Sequence, residues 1–146
     1  MKVEIKKFHE LGVQELYDIL QLRSEVFVME QDCVYQDLDG KDELALHIIG
    51  YKNKKVVAYT RVFRAGDYFK EASIGRVVVR KSERQFGFGL QIMQASIAVI
   101  EQNFGSTPIH ISAQKYLTKF YSSLGFKKVG EEYLEDGIPH LVMIKE

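Results

Sequence analysis

The chain reads as an α+β (mixed α/β) fold: a single twisted, mixed but mostly antiparallel sheet flanked by helices. Three observations predict it. Two hairpin signals, Lys52-Asn53-Lys54-Lys55 and Glu135-Asp136-Gly137, each join two β-rich runs and so require antiparallel pairs. The stretch 72–124 alternates strand, helix, strand, helix, which requires locally parallel strands. No internal repeat, low-complexity tract or linker interrupts the 146 residues, so one domain spanning 1–146 is expected.

The elements follow in order. Residues 2–8 alternate charged and apolar and predict a strand. From Val13 to about Gln31, Leu16, Ile19, Leu20 and Phe27 recur at helical spacing. Asp32 to Glu43 is polar, with an Asp39-Gly40 turn. Leu44–Tyr51 and Val56–Phe63 form the first hairpin. Ala72–Val79 ends in Val77-Val78-Val79, apolar on both faces, and predicts a central strand. Phe88–Phe104 predicts a helix with a stripe of Leu90, Met93, Ile97 and Ile100, widened by Ile92, Ala95 and Val99. Ile109–Ser112 is a short strand after Pro108. Tyr116–Leu124 is a short helix stopped by Gly125. Phe126–Tyr133 and Ile138–Ile144 are the closing strands.

Composition bounds the function. Hydrophobic residues make up 46% and charged residues 27%, as in an ordinary globular protein. Lys+Arg and Asp+Glu are both 20, which argues against a general nucleic-acid binder. The N-terminus has no apolar signal core. The longest uncharged run, Gln85–Ile100, is shorter than the roughly 20 apolar residues of a membrane span. Cys33, the single cysteine, excludes an internal disulfide and fits a reducing, cytoplasmic setting. His9, His47, His110 and His140 lack paired metal-ligand spacing, so no metal is expected.

The neutral total hides two charged segments. Glu30, Asp32, Asp37, Asp39, Asp42 and Glu43 stand against one base, Lys41. Residues 52–84 carry ten bases (three lysines at 52, 54 and 55, then Arg61, Arg64, Lys70, Arg76, Arg80, Lys81 and Arg84) against Asp67, Glu71 and Glu83. Such runs read either as solvated faces or as a site meeting an anionic ligand on one side and a cationic one on the other.

Between the central strand and the long helix lies Arg84-Gln85-Phe86-Gly87-Phe88-Gly89. Glycines let backbone N–H groups turn inward, and the next helix begins with unpaired donors at its positive end. That combination suits a phosphate or diphosphate; a plain structural turn is the alternative. Ile92, where a third glycine would stand, excludes the dinucleotide fingerprint, and no Gly-Lys-Ser/Thr follows.

The Arg-x-x-Gly-x-Gly spacing resembles the acyl-CoA diphosphate loop of the GNAT N-acetyltransferases. Gln114 to Phe126 is similar to a second motif of that family: Phe120-Tyr121 and Gly125-Phe126 keep its spacing, while Gln114 stands at its Asn position and Leu117 at its Ala position. The element order also matches the GNAT fold. Leu22-Arg23, Val26 to Gln31, Tyr35 to Asp42, His47, Ile74 to Val77 and Glu135 to His140 resemble the ElaA-type branch of that family.

The resemblance implies acetyl transfer from acetyl-CoA, as co-substrate, to a primary amine. It implies that Arg84, Gln85, Phe86, Gly87, Phe88 and Gly89 cradle the diphosphate. Val77, Val78 and Val79 would line the pantetheine arm, with a main-chain N–H near Val78 on the thioester oxygen. Gln114 and Phe120 would contact the arm, and Tyr121 would protonate the leaving thiolate. Glu30 is the first candidate for the base, with Glu71, His47, His140 or a chain of waters as others. The local acidity around Cys33 argues for direct transfer rather than a covalent acetyl-enzyme. The acidic segment would border the entrance for a cationic small-molecule or peptide amine, and Asp37 and Asp39 would draw it in. Partners such as nucleic acid or membrane are not expected; the chain would act as a monomer or homodimer. Two alternatives stand beside this: a non-catalytic acyl-CoA-binding module, and another acyl transfer resembling the acyl-homoserine-lactone synthases, which are longer chains.

Overall fold

The computed structural model describes residues 1–146. Strands β1 (Lys2–Lys7), β2 (Leu46–Lys52), β3 (Lys55–Phe63), β4 (Ala72–Val79), β5 (Ile109–Gln114), β6 (Lys127–Glu135) and β7 (Ile138–Lys145) form one sheet in the order β1-β2-β3-β4-β5-β7-β6. Only β4 and β5 run parallel, as a crossover through helix α2 (Phe88–Phe104) requires. Both hairpins turn as read. Asn53 and Lys54, then Asp136 and Gly137, all take positive φ, the geometry that matches strand twist in a two-residue turn. No helix is long and apolar enough to cross a membrane.

Two apolar layers hold the sheet. On one face α2 and α3 (Thr118–Ser123) cover Ile48, Val62, Ile74, Ile111 and Met143. On the other, α1 (Val13–Arg23) sets Ile19 and Leu22 on Ile49, Val56, Tyr59 and Val78. The buried stripe of α2 is rotated from the expected one. Its centre is Ile92, Ser96 and Val99 with Met93 and Ile100, while Leu90 is 42% exposed. Ser96 sits in the core because its hydroxyl donates to Ile92 O (2.7 Å) and meets Thr60 Oγ1 (2.5 Å) across the interface. A polar residue satisfied in this way is invisible to apolar periodicity.

The helix expected to run from Val13 to about Gln31 changes character after Arg23. Ser24–Glu30 is a π-helical turn, with Gln31 N–H on Val26 O (3.2 Å) and Cys33 N–H on Val28 O (3.0 Å). The wider turn carries Val26 into the core and leaves Glu30 at the sheet opening.

Candidate active site

The site begins with a break in the sheet. β4 and β5 pair only at Ala72/Ile109 and Ser73/His110. Beyond Ser73 they part, and β4 keeps an edge with no strand beside it. The cause lies in β4 itself: Tyr59 faces Val78 and Arg61 faces Gly75, so Thr60 stands opposite both Arg76 and Val77. This bulge puts Arg76 at φ 49, a left-handed conformation rare for a side chain of its size. A cleft of about 420 Å³ fills the opening.

The bulge also resets which residues face the cleft. Ile74 and Val78 are four apart, yet Ile74 joins the α2 layer and Val78 the α1 layer. Val77 and Val79 line the cleft and Val78 does not, which corrects the expectation for the three valines. Arg80 N–H donates to Val57 O (2.7 Å). By the alternation of an antiparallel ladder, the main chain of Val78 is then committed to β3, and that of Val77 and Val79 faces the opening. The N–H groups free for a bound carbonyl are those of Val77 and Val79, not that of Val78.

At the end of β4 the glycine turn is tighter than a loop. Lys81–Phe86 form a 3₁₀ turn, Gly87 takes φ 74, and α2 starts at Phe88. Of the expected cradle residues only Arg84 and Gly89 line the cleft. Phe88 is a core side chain, and Phe86 lies under Lys52, whose Nζ is 4.0 Å from the ring centre. Gln85 is exposed. A Cβ built on Gly89 would stand 3.8 Å from Phe120 Cζ and 3.9 Å from Val79 Cγ2. The missing side chain therefore leaves open a floor beside the unpaired N–H groups of the first turn of α2. An extended strand edge, that glycine floor and a helix start together suit an extended amide-bearing arm ending in a diphosphate.

The opposite wall comes from β5, α3 and the β6–β7 hairpin. Gln114, Leu117, Phe120 and Tyr121 all line the cleft. Tyr121 is 5% exposed, packed edge-on to Phe120 and Phe126. Burial pushes its phenol well above the ordinary value, with Tyr116 adding to the shift, so the hydroxyl stays protonated across the neutral range.

Glu30 also lines the cleft, but both its oxygens are held by Arg84, at 2.6 and 2.9 Å. The other base candidates separate. Glu71 pairs with His110 (3.0 Å) outside the cleft. His47 is buried, with Nδ1 2.6 Å from Tyr59 Oη and Nε2 2.9 Å from Asp42 O; burial lowers its pKa. His140 does line the cleft, beside Glu135 and Asp136, two acids read in the sequence only as part of the branch resemblance and of a hairpin turn, with no site role. Cys33 lines the cleft with its thiol donating to Asp136 O (3.2 Å). No three His, Cys, Asp or Glu side chains converge as a metal site.

The expected anionic rim is not formed. Arg23 Nε meets Asp37 Oδ2 and its Nη1 meets Asp42 Oδ1, both at 2.8 Å. Arg61 holds Asp39 (2.5 Å) and Asp42 (3.0 Å), and Arg76 Nε lies 2.8 Å from Asp37 Oδ1. Arg23 and Arg61 are each 1% exposed. The acids at 37, 39 and 42 are thus internal partners of arginines, not an entrance for a cation. The basic segment is drawn inward too: Arg80 pairs with Glu25 and Lys52 with Glu83. The buried Arg61 Nε and Ser73 Oγ have no hydrogen-bond partner, and Arg76 Nε is misaligned with its carboxylate.

Comparisons with known proteins agree with this geometry. Residues 6–146 match the family model described as an acetyltransferase (GNAT) domain. Protein ElaA of Escherichia coli K12 is 43% identical over 139 residues, covering 94% of this chain and 91% of that protein. The crystal structure of E. coli ElaA superposes with a TM-score of 0.93 at 39% identity over the whole of both chains. An acyl-CoA N-acyltransferase from Pseudomonas aeruginosa gives 0.94 at 37% identity, again over both whole chains. An aminoglycoside 6′-N-acetyltransferase solved with coenzyme A shares the fold at a TM-score of 0.75 and 14% identity, over 99% and 96% of the two chains. The chain belongs to the GNAT acetyltransferase family, in its ElaA-type branch.

Proposed function

We propose that the protein transfers the acetyl group of acetyl-CoA directly to a primary amine of a small molecule or peptide. The observation that carries this is the cleft itself: the free edge of β4 runs into the start of α2, with the buried Tyr121 on the facing wall. Acetyl-CoA supplies the acetyl group as a thioester. The N–H groups around Gly87 to Gly89 and the side chain of Arg84 would hold its diphosphate. Phe86 and Phe88 contribute main chain only, and Gln85 stands at the outer rim.

The main chain of Val77 and Val79 pairs with the amides of the arm, and Gln114 and Phe120 close on it from the other side. A free N–H of this edge, aimed at a thioester oxygen, is worth about 3 kcal/mol as negative charge develops there. Tyr121 donates its proton to the departing sulfur. The phenol is the right group because it is still protonated where a thiol, with pKa near 8.5, is already ionising. Glu30, on the α1 side, is paired with Arg84 and serves there as the counter-charge of that guanidinium rather than as the base. All the residues given roles here belong to one chain, which is compatible with a monomer or a homodimer.

Calorimetry with coenzyme A and acetyl-CoA, followed by free-thiol release over a panel of primary amines, tests the reading. Micromolar binding with amine-dependent thiol release is expected. Binding without release across the panel would make the protein an acyl-CoA-binding module. Absence of binding would remove the reading altogether.

A further inference from the structure

The β6–β7 hairpin brings a histidine and a carboxylate together inside the cleft. His140 is 6% exposed, and its Nδ1 lies 2.7 Å from Ile138 O. A carbonyl can only accept, so Nδ1 carries the hydrogen and Nε2 is the bare nitrogen of the neutral ring. Nε2 lies 3.4 Å from Glu135 Oε2. Its lone pair is thus presented on the side of Glu135, where an ammonium bound to that carboxylate would lie within its reach.

The pair is held by paired strands, not by a mobile loop. Ser112 of β5 donates to Glu135 Oε1 (3.2 Å) and is hydrogen-bonded to Tyr133 Oη. The Tyr133 ring lies against His140 at 6.1 Å between centres and 28° between planes. His140 sits opposite Gln114 of β5 and Tyr133 of β6 in register. The cleft that His140 lines is shared with uncharged groups of β5 (Ser112, Gln114), with Tyr116 and Tyr121 of the facing wall, and with the hairpin acids Glu135 and Asp136. The cations lining the cleft, Arg76 and Arg84, are held by Asp37 and Glu30 on the far side.

We infer that this hairpin is the subsite for a cationic primary alkylamine, with Glu135 receiving the ammonium group and His140 Nε2 taking its proton. This rests on the acetyltransferase reading above. The ammonium loses one proton to Nε2, and the nitrogen lone pair forms the N–C bond at the thioester carbon. The C–S bond breaks with its electron pair passing to sulfur, which takes the Tyr121 proton. The second proton leaving nitrogen returns to the Tyr121 oxygen, and the His140 proton passes to solvent. Ammonium and thioester thus become amide, thiol and one released proton.

Two acceptors test it: butylamine, an ammonium at pH 7, and hydroxylamine, already uncharged there. His140→Gln should lower kcat/KM for butylamine by roughly a hundredfold at pH 7. Its loss for hydroxylamine should be under about threefold, and its calorimetric affinity for coenzyme A should match wild type. The butylamine defect should shrink toward pH 10, where the amine sheds its own proton. Glu135→Gln should raise the KM for butylamine more than that for hydroxylamine. Equal losses for both amines, or no loss at pH 7, would overturn the assignment. A readout independent of transfer separates this from the acetyltransferase reading. Titrating butylammonium into the coenzyme A complex should move the side-chain ¹⁵N resonance of His140 Nε2, and a static resonance overturns the subsite even where thiol release is normal.

Discussion

Tyr121 is a residue whose chemistry depends on its burial. It lines the cleft, Phe120 and Phe126 pack edge-on against its ring, and burial raises its pKa. Tyr121→Phe keeps that packing and removes only the proton, so turnover should fall by roughly a hundredfold with affinity for coenzyme A unchanged. Steady-state kinetics beside calorimetry checks both halves. Gly89 is the complementary case, where absence of a side chain matters. A Cβ there meets Phe120 and Val79 at ordinary contact distances, so Gly89→Ala should fold with an unaltered melting temperature. The same methyl stands on the floor of the cleft, and affinity for coenzyme A should drop about tenfold, some 1.4 kcal/mol, by calorimetry. Both residues were legible in the sequence because motif spacing marks them. Val78 was misread because a bulge one turn of pleat earlier inverts the facing of every later residue in β4. Nothing local in Gly75-Arg76-Val77 announces an extra residue; only the pairing with β3 reveals it.

Among the elements, the strands and α2 were readable from periodicity and turn residues nearly to their ends, since apolar alternation and helical spacing are local properties. The segment 31–45 was not. Its acids look solvated in sequence, and their partners lie far along the chain: Arg23 on α1, Arg61 on β3 and Arg76 on β4. The anionic and cationic segments are thus complements of each other rather than two faces awaiting ligands. Here the segment works as a strap, pinned across the α1 end of the sheet by three arginines. Removing one carboxylate leaves the buried guanidiniums short of one counter-charge and its hydrogen bonds, which costs several kcal/mol. Asp37→Asn should therefore destabilise the protein by about 3 kcal/mol, since it strips a partner from both Arg23 and Arg76. Thermal unfolding should show the midpoint falling by roughly 6–12 °C at this chain length. An unchanged midpoint with a raised acceptor KM would instead return Asp37 to the entrance role that the charge pattern suggested.

At the scale of the whole molecule, the same strap sets how the fold responds to acid. His47 lies beneath it, neutral, bonded to Tyr59 and to the main chain of Asp42, and burial lowers its pKa below 6.5. The unfolded chain takes up a proton near pH 6.5 that the folded chain refuses, so stability begins to fall as pH drops through that value. Asp39 and Asp42 add a second, lower limb. Although burial opposes it, the hydrogen bonds and charges of Arg61 and Arg23 hold both carboxyls below their ordinary values. Their contribution is fully present above about pH 4, where the unfolded carboxyls ionise, and is lost as pH falls through the lower folded values. Two limbs are therefore expected in a plot of unfolding free energy against pH: a shallow one starting near pH 6.5 and a steeper one below pH 4. Replacing His47 by Gln keeps a side chain able to hydrogen-bond but cannot gain charge, so it should flatten the upper limb and leave the lower one in place. Urea unfolding at half-unit pH steps from 8 to 3 would show this. Persistence of the upper limb in His47→Gln would mean that another group, outside the strap, takes up the proton on unfolding.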